Sequence, residues 1–170
     1  MSEPRPDNFD IERVEVVLAG TDHHADIRRL YHDSMIEGQI RDNDTGADID
    51  NLIAAYFEDD GQSAFWVATY DNTVIGMIGV QKIADNTAEV RRLRVRVDFR
   101  RRGVGSLLMR QALMFCQKHS YLKVVLDVRI ERGPAIAMFE KFGFTLARTR
   151  EIDGRKMLDF YVDLYREPHA

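Results

Sequence analysis

Apolar and polar positions along the chain follow two periods, one typical of helices and one typical of strands. Helical spacing runs through residues 22–35 and 49–57, and returns in 103–119 and 134–143. Alternating or continuous apolar runs that are typical of strands lie at residues 14–18, 64–70, 73–83, 88–97, 122–128, 144–150 and 156–164. Asp71–Asn72 and Asp153–Gly154 are hairpin turn signals between neighbouring runs. The pattern predicts one mixed α/β domain with antiparallel hairpins and at least one parallel crossover.

Two of these strands carry patterns that predict their surroundings. Apolar residues alternate with arginines from Leu93 to Val97, which predicts one buried face and one solvated arginine face, although Val90 breaks the alternation. Residues 122–128 are mostly apolar, and Asp127 interrupts them. Such a run is typical of a central strand that is covered on both faces.

Length and composition place a boundary near the start of the chain. The 170 residues suit one domain, which we assign to residues 11–170. Residues 1–10 contain Pro4 and Pro6 and lack the apolar core of a signal sequence, so we expect a disordered N-terminal arm. No apolar run approaches the roughly 18 residues of a membrane span. We therefore expect a cytoplasmic protein that does not associate with membranes.

The charged and metal-ligating residues disfavour several classes of function. Cys116 is the only cysteine and lies in an apolar helical pattern, which predicts a buried thiol and excludes an internal disulfide. The histidines show no spacing typical of a metal site, so we expect no metal. The net charge of −4 disfavours nucleic-acid binding. However, seven arginines lie between Arg91 and Arg102, which suggests a small polyanionic ligand.

The most informative segment runs from Leu93 to Leu108, where a strand ends, a glycine-containing turn follows and a helix begins. The first N–H groups of a helix lack internal partners and attract anions. Glycine lets a ligand approach the backbone, and arginine donates charge-assisted hydrogen bonds to phosphate. Together these features predict a pyrophosphate site at the helix start. The alternative is that Gly103 and Gly105 only make a tight turn.

Within this segment, Arg100-x-x-Gly103-x-Gly105 resembles the R/Q-x-x-G-x-G/A motif of the GNAT superfamily of N-acetyltransferases. Residues 135–144 look like the A-x-x-x-[YF]-E-K-x-G-F segment of that family, and residues 126–129 are similar to its L-E-V-R string. The two motifs stand in the expected order, and the resemblance covers roughly residues 73–164.

The resemblance implies a fold and a cofactor site. The fold would be a mixed, mostly antiparallel twisted sheet of about seven strands, flanked by about four helices. Acetyl-CoA would lie in a V-shaped splay between the strand that ends near Val97 and the strand at 122–128. A bulge would leave the backbone around Leu93–Val95 to the pantetheine arm, and N–H groups of residues 101–106 would hold the pyrophosphate. The implied cofactor-binding residues are Leu93, Arg94, Val95, Arg100, Arg101, Arg102, Gly103, Val104, Gly105, Ser106, Arg132 and Phe139.

The family transfers acetyl directly from the thioester to an amine, and an attacking amine needs a base. Glu89 is the first candidate, because the family often places a carboxylate near the start of the central strand. The alternative for Glu89 is a solvated residue at a strand edge. Asp127 is the second candidate, because a buried carboxylate beside the cleft has a raised pKa. Its alternative is a structural partner for an arginine.

Two positions depart from the family pattern. Phe139 stands where the family usually has a catalytic tyrosine, and Arg132 stands where many members carry asparagine. The leaving thiolate is then protonated by water or by another group such as Tyr161, or the protein is a weak catalyst. The last option defines the competing function, an acyl-CoA-binding sensor or regulatory domain. A nucleic-acid-binding module is a third alternative, which the net charge disfavours.

The loop after the first helix is acidic. In this architecture that loop and the last hairpin select the acceptor, so its acids suggest a cationic amine, on a small molecule, peptide or protein. The alternative is a solvated acidic loop. The acids are Glu37, Asp42, Asp44, Asp48 and Asp50. The sequence does not determine the acceptor, the acyl chain length or the oligomeric state, and it leaves a homodimer open.

Overall fold

The computed structural model describes residues 8–37 and 44–165. In this part of the chain, seven strands form one sheet in the order β1-β2-β3-β4-β5-β7-β6. They are β1 (Glu15–Leu18), β2 (Ala64–Tyr70), β3 (Thr73–Ala84), β4 (Thr87–Val95), β5 (Lys123–Arg129), β6 (Thr145–Ile152) and β7 (Arg155–Asp163). Neighbouring strands are antiparallel except β4 and β5, which are parallel. The mixed sheet with its one parallel crossover confirms the predicted fold.

Five α-helices accompany the sheet in the described residues. They are α1 (His24–Ile36), α2 (Ala47–Asp50), α3 (Leu52–Tyr56), α4 (Val104–Lys118) and α5 (Gly133–Lys141). The single helix expected at 49–57 is two short helices, because Asn51 leaves the helical region with φ −131° and ψ 65°. The structure therefore has five helices where about four were predicted.

Both predicted hairpin turns are present. Asp71 and Asn72 have φ values of 50° and 64°, and Asp153 and Gly154 have values of 51° and 75°. Positive φ at both central residues matches the turn type whose twist fits a pair of antiparallel strands. These turns join β2 to β3 and β6 to β7.

Apolar side chains fill both faces of the sheet. The larger cluster joins α4 and α5 to strand residues such as Val124 and Leu126. The smaller cluster joins α1, α2 and α3 to residues of β2 and β3, and Tyr56 is fully buried in it. Cys116 is buried in the larger cluster, which confirms the predicted core thiol, and burial raises its pKa to about 12.

The chain joins the fold before residue 11. The ring of Phe9 lies 4.9 Å from that of Tyr70 and 5.6 Å from that of Phe99. The backbone N–H of Asp10 donates to the Tyr70 hydroxyl. Phe9 and Asp10 thus pack on the domain, and residues 1–7 of the expected arm lie outside the described residues.

Strand β4 contains a β-bulge that changes which side chains face the core. Its ladder with β3 loses register around Arg92, whose φ is +61°. One extra residue in a strand moves the following side chains to the opposite face. Val90 before the bulge and Leu93 after it therefore pack in the same cluster. The bulge explains why Val90 breaks the sequence alternation.

The predicted solvated arginine face of β4 is wrong. Arg94 is 4% exposed and the Arg92 side chain is 9% exposed, whereas Val97 is 64% exposed. Carboxylates from the end of α1 and from the segment before α2, Glu37 and Asp44 among them, cover these guanidiniums and form ion pairs with them. Acidic side chains therefore take the place of solvent along this face.

The prediction that β5 is covered on both faces is also wrong. Val124, Leu126 and Val128 are buried in the larger cluster, but Lys123 and Asp127 on the other face are exposed. Helix α1 packs on β3 and β4 and leaves this part of β5 open. The open face of β5 lies beyond the short ladder that joins residues 123–125 to β4.

Candidate active site

Strands β4 and β5 diverge part-way along their length. Their parallel ladder joins residues 87–89 to residues 123–125 and, within the described residues, ends there. Beyond that point β5 continues in its ladder with β7 as far as Arg129. This is the V-shaped splay that the resemblance implied, and its side chains line a cleft between the two strands.

The turn from β4 into α4 provides a helix start beside this splay. Arg101 and Gly103 both have positive φ, 61° and 90°, and Gly103 caps the helix. The first N–H groups of α4 have no carbonyl partner inside the helix. The first turn contains no acidic residue, and three arginines precede it. Positive potential therefore accumulates here, as an anionic ligand requires.

The backbone conformation requires glycine at only one of the two motif positions, Gly103. A Cβ at Gly103 would meet only Ile11, at 3.7 Å, so crowding does not require glycine there. The positive φ of Gly103 does, because residues with a Cβ rarely adopt it. A Cβ at Gly105 would lie 3.4 Å from the Met138 sulfur on α5 and 3.9 Å from Val95. These are ordinary van der Waals distances, so packing within the protein does not by itself require glycine at position 105.

Glu89 lies at the apex of the splay. It is the last residue of β4 in the ladder with β5, where it is opposite Val125. Its side chain is 33% exposed, and one carboxylate oxygen is 3.2 Å from Nε of Arg91. Because its neighbour Val90 points into the core beneath α4, Glu89 faces the opposite side of the sheet.

Asp127 borders the same cleft but is not buried. Its side chain is 34% exposed, and Oδ2 is 3.4 Å from a guanidinium nitrogen of Arg150. The expectation of a buried carboxylate is therefore wrong. The ion pair agrees with the alternative of an arginine partner, and the carboxylate still lines the cleft together with Glu89.

An ion-pair cluster holds the bulge of β4 against α2 and the segment before it. Arg92 donates to both carboxylates of Asp44 and Asp48, including contacts of 2.9 Å to Asp44 and 2.6 Å to Asp48. The Tyr56 hydroxyl donates to Asp48 at 2.6 Å. Burial opposes ionisation of Asp48, but the hydrogen bonds from Arg92 and Tyr56 outweigh it and lower its pKa to about 2. Asp48 is therefore charged and fully partnered.

A second cluster joins α1 to the motif arginine. Glu37 accepts hydrogen bonds from Arg94 at 3.2 Å and from Arg100 at 3.0 Å. Arg100 also donates through Nε to the Val95 carbonyl at 3.1 Å. This carbonyl, one of the backbone groups expected to receive the pantetheine arm, thus already has an intramolecular donor.

These contacts change the interpretation of the acidic loop. Glu37, Asp44 and Asp48 pair with arginines of β4, Glu37 pairs also with Arg100, and Asp50 pairs with Arg28 at 2.9 Å. Asp42 lies outside the described residues. Four of the five acids are therefore partnered by arginine, so the loop is not simply solvated. The expectation of a cationic acceptor loses the observation on which it depended.

Other predicted residues lie along the cleft or next to it. Phe139 is buried, lines the cleft, and packs edge-to-face near Phe144 and Phe160. Arg132 lines the same cleft at the start of α5. Tyr161 lines a neighbouring cavity, which shares Glu89 and Asp127 with the cleft.

Sequence reasoning missed two residues that line the cleft, Tyr31 and Arg129. Burial raises the pKa of Tyr31, so its hydroxyl stays protonated, and the Arg92 guanidinium lies 5.0 Å from its ring centre. Tyr31 belongs to the apolar stripe of α1, so its spacing in the sequence indicated only a core position. Arg129 ends the string that resembles L-E-V-R, but the motif alone gave it no role.

Metal-binding clusters and membrane-spanning helices are both missing from the residues that the structure describes. They contain no cluster of three or more His, Cys, Asp or Glu side chains arranged to hold a metal ion. None of their helices combines the length and the apolar character that crossing a membrane requires.

The acetyltransferase (GNAT) family model matches residues 25–144, so the chain belongs to this family. The chain is 31% identical over 102 residues to N-acetyltransferase 8 of Homo sapiens, covering 57% of this chain and 44% of the relative. It is 34% identical over 93 residues to N-acetylaspartate synthetase of Danio rerio, covering 54% and 33%. The chain thus spans less than half the length of these relatives.

Solved structures share the fold over nearly the whole chain. A GCN5-related N-acetyltransferase from Kribbella flavida has a TM-score of 0.79 at 17% identity, covering 91% of this chain and 100% of that one. The acetyltransferase yncA of Salmonella typhimurium, solved with its cofactor acetyl-CoA, has a TM-score of 0.78 at 16% identity, covering 92% and 97%. These matches confirm the predicted fold.

Proposed function

We propose that this protein is an N-acetyltransferase that transfers acetyl from acetyl-CoA directly to an amine. The observation that carries the proposal is the splay of β4 and β5, which has a carboxylate, Glu89, at its apex and the start of α4 beside it. Family membership supports the donor. Relatives named for N-acetyl transfer and for N-acetylaspartate support the amine acceptor.

The donor would lie along the splay with its diphosphate at the start of α4. Backbone N–H groups of residues 101–106 would bind the phosphates, and the glycine at 103 leaves them accessible. The end of β4, from Leu93 to Val95, would follow the pantetheine arm, and Phe139 and Arg132 would border it from α5. Arg100, which donates to Glu37 and to the Val95 carbonyl, would contribute to cofactor binding from that position.

Acetyl-CoA supplies an activated thioester, and the protein supplies position and proton transfer. The amine nitrogen forms a bond to the acetyl carbon, the carbon–sulfur bond breaks, and coenzyme A leaves as a thiolate that takes up a proton. Glu89 is our first candidate for the base that receives the proton of the amine, directly or through water, and Asp127 is the second. Tyr31 and Tyr161 are tyrosines that line the two cavities together with these carboxylates, and either could supply the proton that the thiolate takes up.

The absence of a cysteine nucleophile at the cleft favours direct transfer. Cys116 is buried in the core, and burial raises the pKa of its thiol to about 12, so the thiolate is scarce at neutral pH. Separately, we propose that the protein is cytoplasmic, as expected from the sequence.

A turnover assay tests the proposed function. The full chain is incubated with acetyl-CoA and a panel of amines, thiol release is followed with a disulfide reagent, and products are identified by mass spectrometry. Acetylated amine together with stoichiometric thiol supports the enzyme. Acetyl-CoA binding by calorimetry without thiol release across the panel supports the competing sensor, which Phe139 in place of a tyrosine favours.

A further inference from the structure

The cleft between β4 and β5 is lined by more positive than negative side chains. Among the described residues, five arginines and three carboxylates line it. Most of these arginines have acidic partners: Arg92 pairs with Asp44 and Asp48, and Arg94 pairs with Glu37. The positive charge that is not balanced in this way lies on Arg129 and Arg132, where β5 passes into α5.

Arg129 is a buried cation without an acidic partner in the described part of the chain. It is 7% exposed, and no carboxylate of the described residues lies within ion-pair distance of its guanidinium. Burying an unpaired charge costs several kcal/mol, so such groups are usually partnered by a counter-ion or a ligand. Because its guanidinium lines the cleft, a ligand there can provide that partner.

Arg132 strengthens the field at the same place. It also has no ion-pair partner among the described residues. Burial lowers the pKa of its guanidinium, and the neighbouring cations Arg94 and Arg100 lower it further. Arginine remains charged despite such a shift. Both arginines line the cleft, so an anion bound there would be attracted by two positive charges.

The direction of Arg129 distinguishes two sources of that anion. Side chains alternate across a strand, so Arg129 lies on the same face of β5 as Asp127. Val124, Leu126 and Val128 face the core beneath α4 and α5 instead. The phosphates of the donor belong at the start of α4, whereas Arg129 lies on the other face, with the two candidate bases.

We propose that the acceptor is an amine that also carries a carboxylate, and that Arg129, assisted by Arg132, binds this carboxylate. This inference rests on the proposed function and adds the substrate class. Asp127 and Arg129 are two positions apart along β5, about 7 Å between their Cα atoms. A small amino acid can therefore place its amine beside the carboxylates of the cleft and its carboxylate beside Arg129.

The test compares amino acids with their amides, which keep the amine and lose the negative charge. The twenty common L-amino acids and their C-terminal amides are assayed with acetyl-CoA by thiol release. We expect kcat/KM to favour the acid over its amide by about tenfold or more for accepted side chains, as expected for a lost charge-assisted contact. The comparison is biased against the inference. The amine of an amino acid amide is more often neutral at pH 7 than the amine of the free acid, which by itself favours the amide.

Variants then locate the contact. Arg129→Gln should raise KM for the acid about tenfold, with kcat, the rate with the amide and the Kd of acetyl-CoA nearly unchanged. Arg129→Lys should restore part of the preference for the acid. Arg110→Gln is the matched control, because Arg110 is an exposed arginine on α4 away from the cleft, and it should change none of these values.

Equal use of acids and amides by the wild-type protein overturns the inference, whether or not the variants fold. A higher Kd for acetyl-CoA in Arg129→Gln with an unchanged acid preference overturns it too, because the anion is then a phosphate of the donor. If no amine is acetylated, the proposed function fails. Calorimetry of the same amino acids with the coenzyme A-saturated protein then tests the carboxylate subsite by itself. Binding that Arg129→Gln abolishes supports the subsite, and no binding by wild type refutes it.

Discussion

Replacing Gly103 by alanine tests whether the start of α4 holds the diphosphate of acetyl-CoA. A new methyl group would meet only Ile11, at 3.7 Å, so the protein itself has room for it. The cost to folding comes from φ of +90°, about 1 kcal/mol for a residue with a Cβ. In the complex, the methyl group would stand beside the N–H groups that the phosphates approach. Loss of one charge-assisted hydrogen bond, about 1.5–3 kcal/mol, raises the Kd about tenfold or more.

The matched control is Gly154→Ala in the β6–β7 hairpin. Gly154 has a similar φ of +75°, and a Cβ there would meet nothing within 4 Å. Both variants should lose a similar free energy of unfolding in urea, since both place alanine at positive φ. Only Gly103→Ala should weaken acetyl-CoA in calorimetry. A folded Gly103→Ala protein whose Kd stays within about twofold of wild type would refute the proposed diphosphate site.

Four further predictions concern the cleft residues, the buried cysteine and the ion pairs that hold the bulge of β4. Glu89→Gln should lower kcat about 10²–10⁴-fold with little change in the acetyl-CoA Kd; if Asp127→Asn shows this pattern instead, Asp127 is the base, and if neither does, no side-chain base is needed. Cys116→Ala should keep most turnover, and mass spectrometry should find no acetylated enzyme during the reaction; a trapped acetyl-enzyme would contradict direct transfer. Arg92→Met should lower the free energy of unfolding by about 3–5 kcal/mol, because it leaves buried carboxylates without their cation, and a change below about 1 kcal/mol would show that the cluster is not structural. The Asp48 carboxylate, whose pKa falls to about 2, should contribute about 2 kcal/mol of stability. This contribution should be complete above about pH 5 and should be lost as the pH falls through about 2. Asp48→Asn should remove this acid-dependent step from circular dichroism unfolding curves.

Local chemistry explains which parts of the fold could be predicted. The turns at Asp71–Asn72 and Asp153–Gly154 need residues that tolerate positive φ, and the sequence places suitable residues at both. The start of α4 could also be predicted, because Gly103 marks a backbone conformation that other residues rarely adopt. In each case the signal lies within a few adjacent residues, where physical preferences act without help from distant parts of the chain.

The environment of β4 could not be predicted in this way. Its arginines find partners 44 to 57 residues earlier in the chain, at Asp48, Asp44 and Glu37. An alternating strand with charged residues is ordinarily solvated on the charged face, and only the tertiary fold brings acids onto it. The open face of β5 has the same origin, because α1 packs on β3 and β4 instead.

The bulge at Arg92 connects the stability of the fold to the geometry of the cleft. A non-glycine residue at positive φ costs roughly 1 kcal/mol or more and persists only where the surroundings hold it. Here Arg92 supplies both the strained backbone and the guanidinium that Asp44 and Asp48 hold in place. Because those contacts fix the bulge, Leu93 faces the core and the end of β4 is directed away from β5. The arginine-rich strand therefore serves first to shape the cleft, and on our proposal the charge that binds the acceptor lies across the cleft, on Arg129.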